Sequence, residues 1–143
     1  MIELLQFLYP QFRCTINNQN VTILLILAYR FEIEFVSSAC RTFLLFYLSK
    51  LEFVNKYSSD GSELIKQDDG TYLSMSSILD VLCIWFREFF YANETNTCNA
   101  ILDKLSLCKV SNIDASNGFK DLEETMKWKI FRARANYLEN QRQ

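Results

Sequence analysis

The residues that could do chemistry in this 143-residue chain are carboxylates and thiols, because the sequence contains no histidine. Without histidine there is no Ser-His or Cys-His nucleophile pair, and most zinc sites are excluded. The carboxylate pairs Asp68-Asp69 and Glu123-Glu124 lie in polar surroundings, which is typical of a solvated face rather than an acid–base site. The three glycines stand singly, so there is no glycine-rich phosphate loop. We therefore expect no enzyme, no cofactor and no small-molecule substrate.

The sequence also gives little support to a metal site or to disulfides. Asp60, Asp68 and Asp69 lack the one-three-five spacing and the closing glutamate of a calcium loop. The cysteines are odd in number and widely spaced, and three lie in apolar helical stretches, where a free thiol behaves as a small hydrophobe. Reduced thiols are therefore favoured over disulfides. The five are Cys14, Cys40, Cys83, Cys98 and Cys108.

Composition predicts a compact, helix-rich chain of one domain, or of a small domain with an extension. The chain contains twelve Phe, seven Tyr and two Trp but only three Gly and one Pro, so it is rich in rings and poor in turn-forming residues. A formal net charge of −2 gives no general attraction to nucleic acid or to acidic membranes. No apolar run reaches the ~18 residues that span a bilayer, and no signal peptide is recognisable. We expect an intracellular protein, cytoplasmic or nuclear, with no membrane partner.

Apolar spacing in the first third of the chain predicts a short helix, a turn and two further helices. Ile2, Leu5 and Leu8 recur at helical spacing before Pro10, and the second helix is expected to start near residues 18–21. The apolar positions of the second and third helices are Val21, Leu24, Leu25, Ala28, Phe31, Phe35, Val36, Ala39, Cys40, Phe43, Leu44 and Tyr47. Helices this short with wide apolar faces must pack on one another.

The apolar residues of this segment occur in a distinctive order. The order is Leu5-x-x-Leu8-Tyr9-Pro10, Ile16, Asn20-Val21, Leu24-Leu25-x-Leu27-Ala28, Phe31, Ile33, Val36, Cys40 and Phe43-Leu44. It resembles the C-terminal half of a BTB/POZ domain, closest to the large nematode-type branch. The resemblance implies protein–protein interaction through homo- or hetero-oligomerisation, and service as an adaptor of a cullin-type ubiquitin ligase. The family positions that face the cullin correspond here to Tyr9, Gln11, Phe12, Arg13 and Thr15.

The resemblance covers only the first third of the chain. A BTB domain normally begins with strands and helices that precede this segment, so Met1 stands where the middle of the domain would be. Either the chain is a truncated or degenerate product without adaptor function, or other helices replace the missing half. The truncated product would expose a large apolar patch and aggregate or be degraded. That patch would comprise Leu4, Leu5, Leu8, Trp85, Phe86, Phe89 and Phe90.

We assign residues 1–57 to the BTB-like half-domain and residues 58–143 to a helical extension. Spacing through Leu48, Leu51 and Val54 or Phe53 predicts that the third helix continues to about residue 57, where a breaker cluster at 58–61 ends it. An Asp-Gly pair between two β-prone runs predicts one short β-hairpin at 62–74. The predicted fold class is therefore mainly α, with a BTB-like helical segment, a helical extension and this hairpin.

The extension is expected to contain three helices. Ser74 or Ser76 caps a long helix whose apolar positions occupy most of its circumference. The positions are Ile78, Leu79, Leu82, Trp85, Phe86, Phe89 and Phe90. This helix is the candidate to cover Leu4, Leu5 and Leu8. A short amphipathic helix runs from Cys98 to Cys108, and residues 111–118 are expected to form a loop.

The last helix is predicted at about residues 119–139. Its apolar face comprises Leu122, Met126, Ile130, Ala133 and Tyr137, and Glu123 precedes Lys127 by one turn. Lys127, Lys129, Arg132 and Arg134 interleave with Trp128 and Phe131, a pattern that could form a nucleic-acid surface with salt-dependent binding. A solvated helix side opposite a packed face explains the same pattern without a partner, and we favour it.

Overall fold

The computed structural model describes residues 16–59 and 61–141. These residues form seven helices and one three-stranded antiparallel sheet, so the predicted mainly α fold with a short hairpin is confirmed. The elements are α1 (Val21–Arg30), α2 (Glu34–Lys50), β1 (Glu52–Tyr57), β2 (Glu63–Lys66), β3 (Tyr72–Ser74), α3 (Met75–Tyr91), α4 (Thr95–Leu105), α5 (Val110–Ala115), α6 (Asn117–Lys120) and α7 (Glu124–Gln141). Contacts divide the chain into two compact units, Met1–Phe46 and Tyr47–Gln143.

Helix α1 follows its predicted apolar spacing. The side chains buried on it are Val21, Leu24, Leu25 and Ala28. The prediction that Phe31 continues this buried face is wrong, because α1 ends at Arg30 and Phe31 is 49% exposed. The chain turns through Glu32, whose φ of 55° is left-handed, before α2 begins. Phe31 therefore lies beyond the end of the helix, and its side chain does not continue the buried face of α1.

Helix α2 buries one of its two expected apolar rows more fully than the other. Val36, Cys40 and Leu44 are completely buried, whereas Phe35 is 59% exposed. Ser37 stabilises the first turn, since its hydroxyl donates to the carbonyl oxygen of Glu34 at 2.9 Å. The apolar row centred on Cys40 therefore faces the interior.

The predicted extension of the third helix to residue 57 is wrong. Helix α2 ends at Lys50, and Glu52–Tyr57 is a strand that pairs antiparallel with β2. Phe53 and Tyr57 suit a strand, and β1 carries an irregularity between Phe53 and Lys56. The partner strand β2 follows residue 57 in the chain. Its hydrogen bonds to β1 outweigh the helical spacing of residues 48–54, which reflects only the local sequence.

The predicted hairpin at 62–74 is confirmed by β2 and β3. Gly70 takes a left-handed φ of 87° in the connecting turn, and Asp69 accepts a hydrogen bond from the backbone N–H of Thr71 at 2.9 Å. The hairpin belongs to a three-stranded sheet of order β1-β2-β3. The predicted boundary after residue 57 falls in the connection between β1 and β2. The assignment of residues 1–57 to a BTB-like half concerns ancestry, and it stays a prediction.

Helix α3 is the buried helix of the second unit. Ser74 caps it by accepting from the backbone N–H of Ser77 at 3.4 Å, as predicted. Its buried side chains are Met75, Ile78, Leu79, Leu82, Cys83, Trp85, Phe86 and Phe89. The expected exposed patch is therefore wrong for Trp85, Phe86 and Phe89. Of its other members, Phe90 is half-buried, whereas Leu4, Leu5 and Leu8 lie outside the described residues, as does their expected cover by α3.

The C-terminal part contains more helix than the sequence indicated. Helix α4 is confirmed, but the loop expected at 111–118 is wrong, because α5 and α6 occupy it. Ser116 separates these two helices and caps α6, since its Oγ accepts from the backbone N–H of Phe119 at 3.3 Å. The last helix consequently starts at Glu124, and Phe119 belongs to α6.

Candidate interaction surface

A polar contact fixes the segment that precedes α7 onto α3. Ser116 Oγ lies 2.5 Å from Asp80 Oδ1, and the backbone N–H of Gly118 donates to the same oxygen at 3.1 Å. Gly118 comes so close to α3 that an added Cβ would lie 2.7 Å from the backbone oxygen of Asp80. A side chain at this position would therefore force the two helices apart.

The inner face of α7 is anchored to the helices beneath it. Met126 and Ile130 are completely buried, as the predicted apolar face requires. Arg134 Nη1 donates to the backbone oxygen of Ser106 at 2.9 Å, and the rings of Phe119 and Phe131 are 5.1 Å apart. These contacts fix the rotation of α7 about its own axis, and so they determine which side chains face outward.

The outward side of α7 carries a second apolar row. We call Trp128, Phe131, Ala135 and Leu138 the outer face of α7; their spacing of three, four and three residues places them on one side of a helix. Trp128 is 59% exposed and Leu138 is 42% exposed, Ala135 is exposed and Phe131 is half-buried. Helix α7 is thus apolar on two sides: its inner side is buried, and on its outer side Phe131 packs against Phe119 while Trp128, Ala135 and Leu138 stay exposed.

Open grooves run beside the outer face. One, of about 290 Å³, is lined by Val110 of α5 and by α7 side chains, and Val110 is itself 46% exposed. The α7 residues that line it are Phe131, Arg134, Ala135 and Leu138. A second groove, of about 700 Å³, lies toward the start of α7. It is lined by three aromatic side chains and five polar or charged ones: Phe119, Trp128, Phe131, Asp114, Glu124, Thr125, Lys127 and Lys129. The outer face is therefore an accessible row of apolar side chains bordered by polar groups at its start.

The basic residues of α7 mostly interact with neighbouring groups of the same chain. Lys127 lies 3.7 Å from Glu124, and its ammonium lies 5.7 Å from the centroid of the Phe119 ring. The guanidinium of Arg132 lies 5.1 Å from the centroid of the Trp128 ring. With Arg134 bound to Ser106, three of the four basic residues have a contact within the chain. The expected support of Lys127 by Glu123 is replaced by the contact with Glu124.

Sequence reasoning missed the outer face, although its signal was present. The spacing of Trp128, Phe131, Ala135 and Leu138 is visible in the sequence. The basic residues between them led instead to the predictions of a solvated side or a nucleic-acid surface. The residues that the family resemblance placed at a partner surface were Tyr9, Gln11, Phe12, Arg13 and Thr15. All five lie outside the described residues.

The four described cysteines are buried free thiols. Burial raises the pKa of Cys40, Cys83 and Cys108 to about 12 and that of Cys98 to about 11. Cys108 Sγ lies 3.9 Å from the sulfur of Met75 in the core. Because the thiolate is the nucleophile, thiols held protonated in this way do not suit covalent chemistry at neutral pH. Their arrangement favours packing.

Comparisons with known proteins assign no relative. No family model, no curated protein and no solved structure matches the chain. The BTB/POZ resemblance therefore stays a prediction from the ordered residues of the N-terminal segment. Among the described residues no helix is long and apolar enough to cross a membrane. Nor does any group of three or more acidic or thiol side chains in 16–59 and 61–141 come together to hold a metal ion.

Proposed function

We propose that this chain is a protein–protein interaction module and that the outer face of α7 receives another polypeptide. The observation that carries this proposal is the second apolar row on α7, in which Trp128 is 59% exposed. Scattered apolar side chains are normal on a protein surface, but a contiguous row along one helix marks an interaction site. An exposed tryptophan is also the residue type that most often anchors an interface.

The proposal is tested by comparing two variants of equal charge change. Leu138→Glu places a carboxylate on the outer face, and Asn136→Glu places one on an exposed position of α7 outside it. Proteins that bind the tagged wild-type chain in cells are expected to be lost with Leu138→Glu and retained with Asn136→Glu. Circular dichroism is expected to show the same helix content in both. An unchanged set of bound proteins with Leu138→Glu would refute the proposal.

The more specific proposal is an oligomerising adaptor of a cullin-type ubiquitin ligase inside the cell, cytoplasmic or nuclear. It is supported by the BTB/POZ resemblance of the N-terminal segment and places the cullin contact at Tyr9, Gln11, Phe12, Arg13 and Thr15. The purified chain is expected to bind a cullin N-terminal domain at micromolar concentration, and Tyr9→Ala is expected to weaken that binding. Absence of binding at this concentration would refute the adaptor proposal and would leave the α7 proposal standing.

A further inference from the structure

We propose that Tyr72 is a phosphorylation site and that Lys56 and Lys66 of the same sheet bind its phosphate. The group added is a phosphoryl group on the tyrosine oxygen, transferred from ATP by a tyrosine kinase. The site lies on the three-stranded sheet and does not depend on the proposed function of α7. Its basis is the position of the ring, the two lysines beside it and the surroundings of the other exposed tyrosines.

The position of Tyr72 makes both its ring and its backbone accessible to an enzyme. The residue is 42% exposed, and β3 is an edge strand in the sheet order β1-β2-β3. The open side of an edge strand presents backbone donors and acceptors, which another protein can pair with as it would with an extended peptide. Tyr72 is therefore held in the extended conformation that suits binding in the cleft of another protein.

Two lysines lie on the same face of the sheet as the Tyr72 ring. Lys66 of β2 is the cross-strand partner of Tyr72. Lys56 of β1 pairs with Leu64, which is two residues from Lys66, so all these side chains share one face. Lys56 Nζ donates to the Tyr72 hydroxyl oxygen at 3.2 Å and lies 5.2 Å from the ring centroid. A phosphate bonded to that oxygen would therefore be within reach of both ammonium groups.

Two acidic residues precede Tyr72 but lie toward the other face of the sheet. Asp69 accepts hydrogen bonds from the backbone N–H and the hydroxyl of Thr71 at 2.9 Å and 2.6 Å. Burial and then the charges of Asp68 and Asp69 raise the pKa of Tyr47 to about 12, which places both carboxylates near that buried hydroxyl. Acidic residues three and four positions before a tyrosine are also a charge pattern that a kinase with basic groups can select.

Glu52 is the acidic residue on the face that carries Tyr72. It is the cross-strand partner of Lys66 on β1, so it lies two strand spacings, about 10 Å, from Tyr72. A phosphate carries more negative charge than a carboxylate at neutral pH and therefore competes well for Lys66. Glu52 does not prevent the two lysines from binding a phosphate.

The other exposed tyrosines of the described residues have acidic neighbours. Tyr57 and Tyr91 are both more exposed than Tyr72. The Tyr91 hydroxyl donates to Glu123 Oε1 at 2.7 Å, and the cross-strand partner of Tyr57 is Glu63. A phosphate beside a carboxylate is destabilised by repulsion between like charges. Of these three tyrosines, Tyr72 is the one whose closest charged neighbour is a cation.

The transfer itself follows the ordinary course of phosphoryl transfer. The Tyr72 oxygen forms a bond to the γ-phosphorus of ATP while the bond from that phosphorus to the bridging oxygen breaks. ADP leaves, and the phenol proton passes to the catalytic carboxylate of the kinase. In the product, Lys56 and Lys66 donate charge-assisted hydrogen bonds to the phosphate oxygens, which links all three strands of the sheet.

Phosphate incorporation into the full chain tests the position of the site. The purified chain is incubated with ATP, Mg²⁺ and a tyrosine kinase domain that favours acidic residues before the tyrosine, and the modified residues are identified by peptide mass spectrometry. Tyr72 is expected to carry more phosphate than Tyr57 and Tyr91 together, and Tyr72→Phe is expected to abolish that share. A larger share on Tyr57 or Tyr91, or no incorporation at all, overturns the proposal.

A ³¹P NMR titration of the phosphorylated chain tests the role of the lysines. A nearby cation favours the doubly charged phosphate, so the second phosphate pKa in the wild type is expected to be lower than in Lys56→Gln by about 0.3–0.7. Lys66→Gln is expected to raise that pKa in the same direction. Lys120→Gln is the control, since Lys120 is exposed on α6, and it is expected to match the wild type. Equal pKa values in the wild type and Lys56→Gln overturn the binding of the phosphate by this lysine.

Discussion

The hydroxyl of Tyr47 donates to the side-chain oxygen of Gln67 at 2.7 Å, and both residues are almost fully buried. Tyr47 belongs to the last turns of α2, and Gln67 stands just after β2, where its amide also donates to Thr71 Oγ1 at 2.8 Å. The Tyr47 ring packs edge-on against Trp85 of α3, with the centroids 5.8 Å apart. One side chain thus links a helix end, the β2–β3 turn and the core of the second unit.

Tyr47→Phe is expected to lower the free energy of unfolding by about 1 kcal/mol, the net contribution of one hydrogen bond, while the ring packing is kept. Urea unfolding followed by circular dichroism measures this. Tyr72→Phe is the matched control, because the Tyr72 hydroxyl is exposed and accepts only from Lys56 at 3.2 Å among the hydrogen bonds described. A loss with Tyr72→Phe as large as with Tyr47→Phe would refute the importance of the buried bond.

Gly118→Ala is expected to destabilise the protein by about 1–3 kcal/mol, as overpacking usually does. The added Cβ would lie 2.7 Å from the backbone oxygen of Asp80, and a backbone atom cannot rotate away. Thermal unfolding is a suitable measurement, with Ser111→Ala as the control because Ser111 is exposed on α5. If Gly118→Ala is as stable as the wild type, α6 does not approach α3 as closely as described.

The side chains of Asp80 and Ser116 are expected to contribute to stability in a coupled, non-additive way. In a double-mutant cycle of Asp80→Ala and Ser116→Ala, we expect a coupling energy of about 1.5–3 kcal/mol, the range for a hydrogen bond to a charged group. Urea unfolding of the two single variants and the double variant supplies the cycle. Strictly additive losses would mean that the two side chains do not interact in solution.

The buried thiols predict a loss of stability in alkali. The pKa of Cys83 and Cys108 is raised from 9.0 to about 12 by burial, so above pH 9 the unfolded chain loses protons that the folded chain retains. Because the folded state then binds more protons, stability falls as pH rises, by up to about 1.4 kcal/mol per pH unit for each thiol. This contribution is fully present below the unfolded pKa.

Unfolding in urea with reductant, from about pH 8 to about pH 10.5, measures this slope. In Cys83→Ala the slope is expected to be shallower by about one proton, although the variant is less stable at every pH because it loses buried volume. A free energy of unfolding that stays constant or rises across this range would contradict the burial of these thiols.

The sequence predicted the elements whose signals are local. The spacing of Leu24, Leu25 and Ala28 gave α1, and Ser74 with its apolar repeat gave α3. Strand β1 was missed because its partner β2 lies several residues further along the chain, and Phe53 fits either a helix or a strand when considered alone. The periodicity of a short segment does not show whether that segment will form hydrogen bonds with a strand elsewhere in the chain.

The candidate surface was only half predictable. Met126 and Ile130 correctly marked the inner face of α7, since apolar spacing on a helix indicates burial. Helices α5 and α6 were not predicted, because Ser116 is held by Asp80, which lies 36 residues earlier. The solvated side favoured by the sequence agrees with the exposure of Trp128, but the groove that Val110 of α5 forms beside α7 could not be inferred.

The most direct test of the central claim, that the outer face of α7 receives another polypeptide, uses the two tryptophans as probes. Both are replaced by 5-fluorotryptophan, and ¹⁹F NMR spectra are recorded before and after addition of the proteins that co-purify with the tagged wild-type chain, with the resonances assigned by Trp128→Phe. The Trp128 signal is expected to shift or broaden on binding, while the signal of Trp85, which is 1% exposed, stays constant. A Trp128 signal that stays unchanged although the chain binds those proteins, or that changes only together with that of Trp85, would contradict the claim.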